Sequence, residues 1–278
     1  MKVSVSMWSL QSDFYKNKID TAGFIELSSQ WGVDGVELLD FFFKNEAEVN
    51  EIIRLLEQKK LLVAAFSIEN DFAVESSEEL EGQIAYVKES IDMAVRLKTH
   101  TLRILSGYEK NDTSFEKGLE NIITSLKACV PYAEEKGVIM VLENHGRFSG
   151  TSVKMRNIIE QVASEYLKVN VDTGNFLLQC ENPVDGVYNL KEMIGFLHIK
   201  DLKKLDSPNG NEIFTSSDFQ LFKGTSIGKG DVDMLQIINI LRTQGYNGYL
   251  SVEYEGSGNC ITETEESLTF LKALLVNK

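Results

Sequence analysis

One alternation runs the length of this chain and constrains its fold more than any other feature. Short apolar runs of β type are followed by longer stretches whose apolar residues recur every three or four positions. Eight such runs stand out: "KVSVSMW" from Lys2, "DGVELL" from Asp34, "LLVAAFSI" from Leu61, "HTLRILS" from His100, "VIMVLEN" from Val138, "LKVNVD" from Leu167, "GFLHIK" from Gly195 and "YLSVEY" from Tyr249. Several are apolar on both faces, which is how parallel strands covered by helices read. Between them, Val49, Ile52, Ile53 and Leu56 form one helical stripe, and Leu80, Ile84, Val87, Ile91 and Ala94 form a second. Leu119, Ile122, Ile123, Leu126 and Val130 form a third, and each stripe would cover one face of an amphipathic helix. Gly32, Gly137, Gly195 and Gly248 precede strands and suit the left-handed turn that ends a helix.

Eight βα units in 278 residues, with no linker or low-complexity segment, predict a single α/β domain over residues 1–278, a closed (β/α)8 TIM barrel rather than an open sheet. One long stretch, residues 202–231, reads as irregular and falls between the seventh strand and its helix. A βα loop of that length is expected to serve as a lid or substrate-recognition element, because βα loops surround the C-terminal mouth of a barrel.

Composition narrows the partners. Acidic residues outnumber basic ones by 42 to 28, and the net charge of −14 repels polyphosphate and anionic membrane surfaces. No local basic patch offsets it, so neither nucleic acid nor membrane is an expected partner. Cys129, Cys180 and Cys260 are odd in number and lack CxxC spacing, which fits a reducing compartment better than a disulfide framework. The opening "MKVSVSMWSLQSD" lacks the continuous apolar region of a signal peptide, and no stretch approaches the roughly 18 apolar residues that span a bilayer. A cytoplasmic location is expected, and a homo-oligomer is compatible with the chain.

In a barrel, chemistry belongs at the C-terminal ends of the strands. "GVIMVLENHG", residues 137–146, is apolar until it ends on Glu143, Asn144 and His145. Asp172 ends the sixth run, His198 lies near the end of the seventh and Glu253 ends the eighth. Alone, each acid reads as readily as a helix N-cap. Together, four successive strands deliver Glu, Asp, His and Glu to one rim.

Three carboxylates converging without a cation would repel and raise one another's pKa, so a bound divalent metal is the economical reading. Three oxygen ligands and one nitrogen suit a six-coordinate ion, manganese ahead of magnesium, cobalt or zinc. The open coordination positions could chelate a carbonyl and an adjacent hydroxyl of a sugar, polarising the carbonyl and acidifying the neighbouring C–H.

Further candidates surround this set. His145, two residues past Glu143, points to the same side if the extended backbone persists, and Lys200 shares the face of His198. Both are candidates to bind substrate. Asp201 is expected to orient neighbours or cap the loop, and Glu37 to form an ion pair with Arg103 across the barrel. Trp8 and Phe66 are expected in the pocket wall or the core.

At these residues the sequence resembles the sugar phosphate isomerase/epimerase family, the xylose-isomerase-like barrels that also include apurinic endonuclease IV. "DGVEL" at residues 34–38 resembles the family's second strand, "VLENHG" its fifth, "VDTGN" its sixth, "HIKD" its seventh and "SVEYEG" its eighth. "GKGDVD", residues 228–233, resembles the turn entering the seventh helix, so the resemblance covers nearly the whole chain.

It implies that Glu143, Asp172, His198 and Glu253 ligate one divalent metal and that Glu143 and Glu253 are the acid/base pair. One would take a proton beside the carbonyl of a small sugar or sugar derivative, giving an enediolate, and the other would return a proton. The implied activity is that of an isomerase or epimerase, with a dehydratase of the same barrel family as the alternative. A nuclease of the endonuclease IV type fits less well, because its multi-zinc site needs many histidines and this chain has only His100, His145 and His198.

Two departures stand out. Many members carry histidine where this chain has Asn175, which can hydrogen-bond a substrate hydroxyl but cannot shuttle a proton near neutrality. The family turn commonly has an acid between its glycines, and here Lys229 stands there, expected to face solvent rather than a phosphate.

Overall fold

Each of the eight apolar runs forms a strand, and together the eight close a parallel barrel. The computed structural model describes residues 1–110, 113–208 and 213–276. Among the described residues the strands are, in chain order, β1 (Lys2–Ser6), β2 (Gly35–Leu39), β3 (Leu62–Ser67), β4 (Thr101–Ile104), β5 (Ile139–Glu143), β6 (Leu167–Asp172), β7 (Ile194–Ile199), β8 (Asp201–Leu205), β9 (Ile213–Thr215), β10 (Leu221–Thr225) and β11 (Tyr249–Val252). The barrel runs β1-β11-β7-β6-β5-β4-β3-β2 around its circumference, all pairs parallel.

The helical stripes lie where their periodicity puts them. Glu46–Lys59 begins at Asn45, whose side chain accepts from the amides of Ala47 and Glu48, and it buries Val49, Ile52 and Leu56 against the strands. Ser77–Arg96 is capped by Ser76 and buries Val87, Ile91 and Ala94. Phe115–Lys136 is capped by Ser114, buries Ile122 and Leu126, and ends at Gly137 in the left-handed region. Each fully buried aliphatic side chain contributes about 1.5–3 kcal/mol, so a truncation such as Ile122→Ala would loosen one helix from the barrel wall.

Most of the core lies between the helices and the outer faces of the strands. A second, small apolar cluster of Ala64, Ala65, Val141 and Phe196, with Ile139 and Tyr249 against it, lies apart from that core.

Two of the glycine expectations need correction. Gly32 and Gly137 adopt φ of +62° and +67°, but Gly195 and Gly248 do not take the left-handed conformation. Gly195 lies inside β7, where a Cβ would meet the Lys168 Cβ at 2.8 Å and a Val141 methyl at 2.9 Å. It is the additional residue of a bulge: Val169 pairs with Ile194, whereas Asn170 pairs with Phe196. The shift brings His198 into register with Asp172. With uninterrupted pairing Leu197 would stand beside Asp172, because a one-residue slip exchanges the two faces of a strand.

The stretch expected to be irregular between β7 and its helix instead carries a three-stranded antiparallel sheet in the order β8-β10-β9. Its strands are short and interleaved with lysines, which hid them from a periodicity reading. Residues 209–212 of this stretch lie outside the described residues. Asp201 ties its two ends together, accepting from the amides of Gly228 and Gly230 at 2.9 Å and of Val232 at 3.1 Å. Among the described residues, no helix is long and apolar enough to cross a membrane.

Candidate metal centre

Glu143 closes β5, Asp172 closes β6, His198 is the penultimate residue of β7, and Glu253 follows β11 directly. All four are buried, and one donor atom from each lies within 4.8 Å of the others, so the cluster could hold a metal ion. Each side chain is held by neighbours of identifiable purpose. Asn144 accepts from the Asp172 amide at 2.6 Å and donates to its carbonyl at 3.0 Å, locking β6 against the end of β5. Asp172 Oδ1 accepts from the amides of Gly174 and Asn175, while Oδ2 faces Lys200 Nζ at 2.7 Å.

Glu143 Oε1 accepts from Asn175 Nδ2 at 3.2 Å, and Oε2 from Asn170 Nδ2 at 3.3 Å, with Arg103 Nε at 3.4 Å. Glu253 Oε1 lies 3.3 Å from His198 Nδ1, and Oε2 lies 3.4 Å from Lys200 Nζ.

Burial and neighbouring charges shift the ionisable groups of the cluster in opposite directions. Burial pushes the Asp172 carboxyl up to about 7 despite the pull of Lys200, and the charges on Glu253 and Glu143 add to the rise. Burial likewise pushes Glu253 up, but His198 and Lys200 outweigh it and hold the carboxyl well below the usual range. Burial lowers the His198 imidazole, yet Glu253, Glu37 and Glu143 together raise it well above its ordinary value.

His198 Nε2 lies 2.8 Å from Glu37 Oε1, whereas Nδ1 is buried without a hydrogen-bond partner and faces Glu143 and Glu253 at 3.4 and 3.3 Å. A neutral ring that gives its Nε2 proton to Glu37 would aim a lone pair at two carboxylates. A cation between them turns that repulsion into coordination, so the donor set fits a divalent metal.

Above the cluster opens a cavity of about 180 Å³ whose lining includes Glu143, Glu253, His145, Asn175 and Lys200. All three residues expected to bind substrate therefore reach it, by different routes. The chain turns at Asn144, with the His145 amide donating to the Glu143 carbonyl at 2.9 Å, and the ring packs edge-on against Tyr108. Lys200 is buried between Asp172, Glu253 and Glu255, the last at 2.9 Å. Asn175 bridges to Glu143. Phe214 of β9 also lines the cavity, so the inserted sheet contributes to its wall. Trp8 is in the wall and donates to Glu255, while Phe66 is buried in the main core. Lys229 pairs with Glu266 at the surface.

The ion pair expected between Glu37 and Arg103 is not formed. Glu37 turns to His198, and Arg103 donates to the Ile68 carbonyl at 2.8 Å and pairs with Glu143 instead. Several site residues gave no distinct signal in the sequence. Asn170 and Glu255 lie at strand ends already marked by a candidate ligand, and Asn144 showed only as part of the polar end of the fifth run.

Comparisons with known proteins agree with this architecture. The chain is 23% identical over 151 residues to the inosose dehydratase of Clostridium tetani, covering 53% of this chain and 51% of that protein. It spans about half the length of the curated relatives it matches. Its fold superposes on the crystal structure of a D-tagatose 3-epimerase-like protein with a TM-score of 0.78 at 18% identity, covering 99% of this chain and 97% of the other. The probable 3-DHS dehydratase AsbF of Bacillus anthracis gives a TM-score of 0.76 at 18% identity, covering 98% and 99%. Residues 25–274 match the model of the xylose isomerase-like TIM barrel, and with the closed barrel and the strand-end cluster already in place, the chain belongs to that family.

Proposed function

We propose that the protein is a divalent-metal-dependent isomerase or epimerase of a sugar or sugar derivative, working by proton transfer through an enediolate. The observation that carries this reading is His198 Nδ1, buried without a hydrogen-bond partner and facing the carboxylates of Glu143 and Glu253, which line the cavity. Glu143, Asp172, His198 and Glu253 would hold the ion, with manganese best matched to three oxygens and one nitrogen. Once bound, such an ion polarises a carbonyl and acidifies the adjacent C–H.

The remaining work falls to the protein's own side chains. Glu143 and Glu253 come from β5 and the end of β11, separated around the barrel by β6 and β7, so they can flank a ligand lying across the mouth. One removes a proton beside the carbonyl, and the other returns a proton to the enediolate. Lys200 and Asn175 offer donors to substrate oxygens. His145, Tyr108 and Phe214 complete the wall around the space a substrate would fill.

A dehydratase is the second reading. It is favoured by the relatives named inosose dehydratase and by Lys200, a buried ammonium beside the cluster that could protonate a departing hydroxyl.

The test is to incubate the protein with manganese and a panel of ketoses and inososes in deuterated water, following exchange at carbon by NMR. Exchange is expected with at least one of them and is abolished by EDTA and by Glu253→Gln. Loss of water from the product assigns the dehydratase. Exchange that persists after chelation rejects the metal mechanism.

A further inference from the structure

Glu37 takes no part in the proton transfers above, yet it is held more tightly than a solvated acid would ever be. It lies on β2 and is completely buried. Oε1 accepts from Ser67 Oγ at 2.5 Å and faces His198 Nε2 at 2.8 Å, while Oε2 accepts from Ser251 Oγ at 2.8 Å. Ser67 ends β3, and Ser251 on β11 is in register with His198. Four strands thus contribute to a single buried chain of hydrogen bonds that ends at the back of one imidazole ring.

An ionised carboxylate only accepts hydrogen bonds, so its partner nitrogen on His198 must carry the proton. That places the free lone pair of a neutral ring on Nδ1, the nitrogen that faces Glu143 and Glu253. We infer that Glu37 is a positioning residue: it fixes the orientation and tautomer of His198 so that Nδ1 is the ligating atom, and its charge strengthens the ring as a donor to a divalent cation. The bulge at Gly195 and the register shift between β2 and β3 at Val36 and Glu37 set the two partners of this bond. The inference rests on the metal-centre reading, and it explains why an acid is buried at a distance from the cavity. Partners behind a ligating histidine typically change metal affinity by about 10- to 100-fold when removed.

The test compares wild-type protein with Glu37→Gln and Glu37→Leu, using manganese alone in titration calorimetry and zinc alone in ¹⁵N NMR of the His198 ring. Glutamine keeps an acceptor and loses the charge, whereas leucine loses both. Zinc-loaded wild type should show a metal-shifted Nδ1 and an Nε2 proton protected from exchange. Glu37→Gln should keep that protected proton and lose up to about tenfold in manganese affinity, and Glu37→Leu should lose the proton and about 10- to 100-fold in affinity.

A folded Glu37→Leu protein that binds manganese within twofold of wild type overturns the inference and leaves the metal centre standing. If Glu37→Leu does not fold, the Ser67→Ala/Ser251→Ala double variant serves in its place: a several-fold loss of affinity supports the inference, and none overturns it. Wild-type protein that binds no divalent ion removes the metal-centre reading and this inference together.

Discussion

Lys200 Nζ lies 2.7 Å from Asp172 Oδ2, so a buried ammonium already occupies the flank of the cluster assigned to a divalent ion. It also reaches Glu253 and Glu255, and these carboxylates raise its pKa well above the ordinary lysine value against the opposing effect of burial. Removing one member of a buried ion pair leaves an uncompensated charge and typically costs about 3–5 kcal/mol. Lys200→Met is therefore expected to lower the stability of metal-free protein by about 3 kcal/mol in urea unfolding. Saturating manganese should recover more stability in the variant than it adds to wild type. A variant as stable as wild type without metal would mean that the pair contributes nothing.

The acid and the imidazole of the cluster give pH dependences of opposite sign for the metal-free and metal-bound forms. In the folded chain Asp172 keeps its proton to about pH 7, against an ordinary value of 3.8, and His198 keeps its proton well above 6.5. These two groups thus bind more protons in the folded than in the unfolded state from about pH 4 upward, so their contribution to metal-free stability falls as pH rises through this window, whereas the lowered carboxyls of Glu253 and Glu37 act in the opposite sense below about pH 5. Metal competes with the same protons, so manganese affinity should rise between pH 6 and 8 with proton release. Calorimetry in two buffers of different ionisation enthalpy measures that release, and an affinity flat across this range would contradict the ligand assignment.

Glu143 accepts from Asn170 and Asn175 and pairs with Arg103, so Glu143→Gln keeps the shape of the site while removing its charge and its capacity to carry a proton. Solvent exchange at the substrate carbon should fall by about 10²- to 10⁴-fold, with weaker metal binding. Thermal unfolding monitored alongside separates this loss from a folding defect. Exchange within threefold of wild type would remove Glu143 from the acid/base pair.

Asp201 receives three backbone amides from the segment that returns from the inserted sheet. Asp201→Ala leaves those donors without their acceptor and should cost about 2–4 kcal/mol. Trypsin should cut at Lys203 and Lys204 faster than in wild type, because the base of the sheet is released. Manganese affinity should stay close to wild type, since Asp201 contributes no ligand. An unchanged cleavage rate would show that the sheet holds itself.

Much of this molecule is legible in its sequence, for physical reasons. Parallel strands sealed beneath helices are apolar on both faces, so β2, with every residue buried, announces itself without a structure. The clustering of Glu143, Asp172, His198 and Glu253 follows because βα spacing carries all four to one rim. What stayed hidden depends on contacts across the barrel and on register. The pairing of Glu37 with His198 rather than Arg103 has no local signal, because nothing in its neighbourhood along the chain indicates which residue it meets inside a closed barrel. The β8-β10-β9 sheet escaped because strands of three to five residues carrying Lys203, Lys204 and Lys223 show no clean alternation.

Gly195 acts as a phase shift in the seventh strand. Because it is the unpaired extra residue, taking it out would leave Ile194 opposite Val169, Phe196 opposite Asn170 and His198 opposite Asp172, so the imidazole would stay where it is. The bulge absorbs one surplus residue without moving the side chains that follow it. A relative whose seventh strand is one residue shorter at this point would therefore present the same imidazole from an ordinary, unbulged strand.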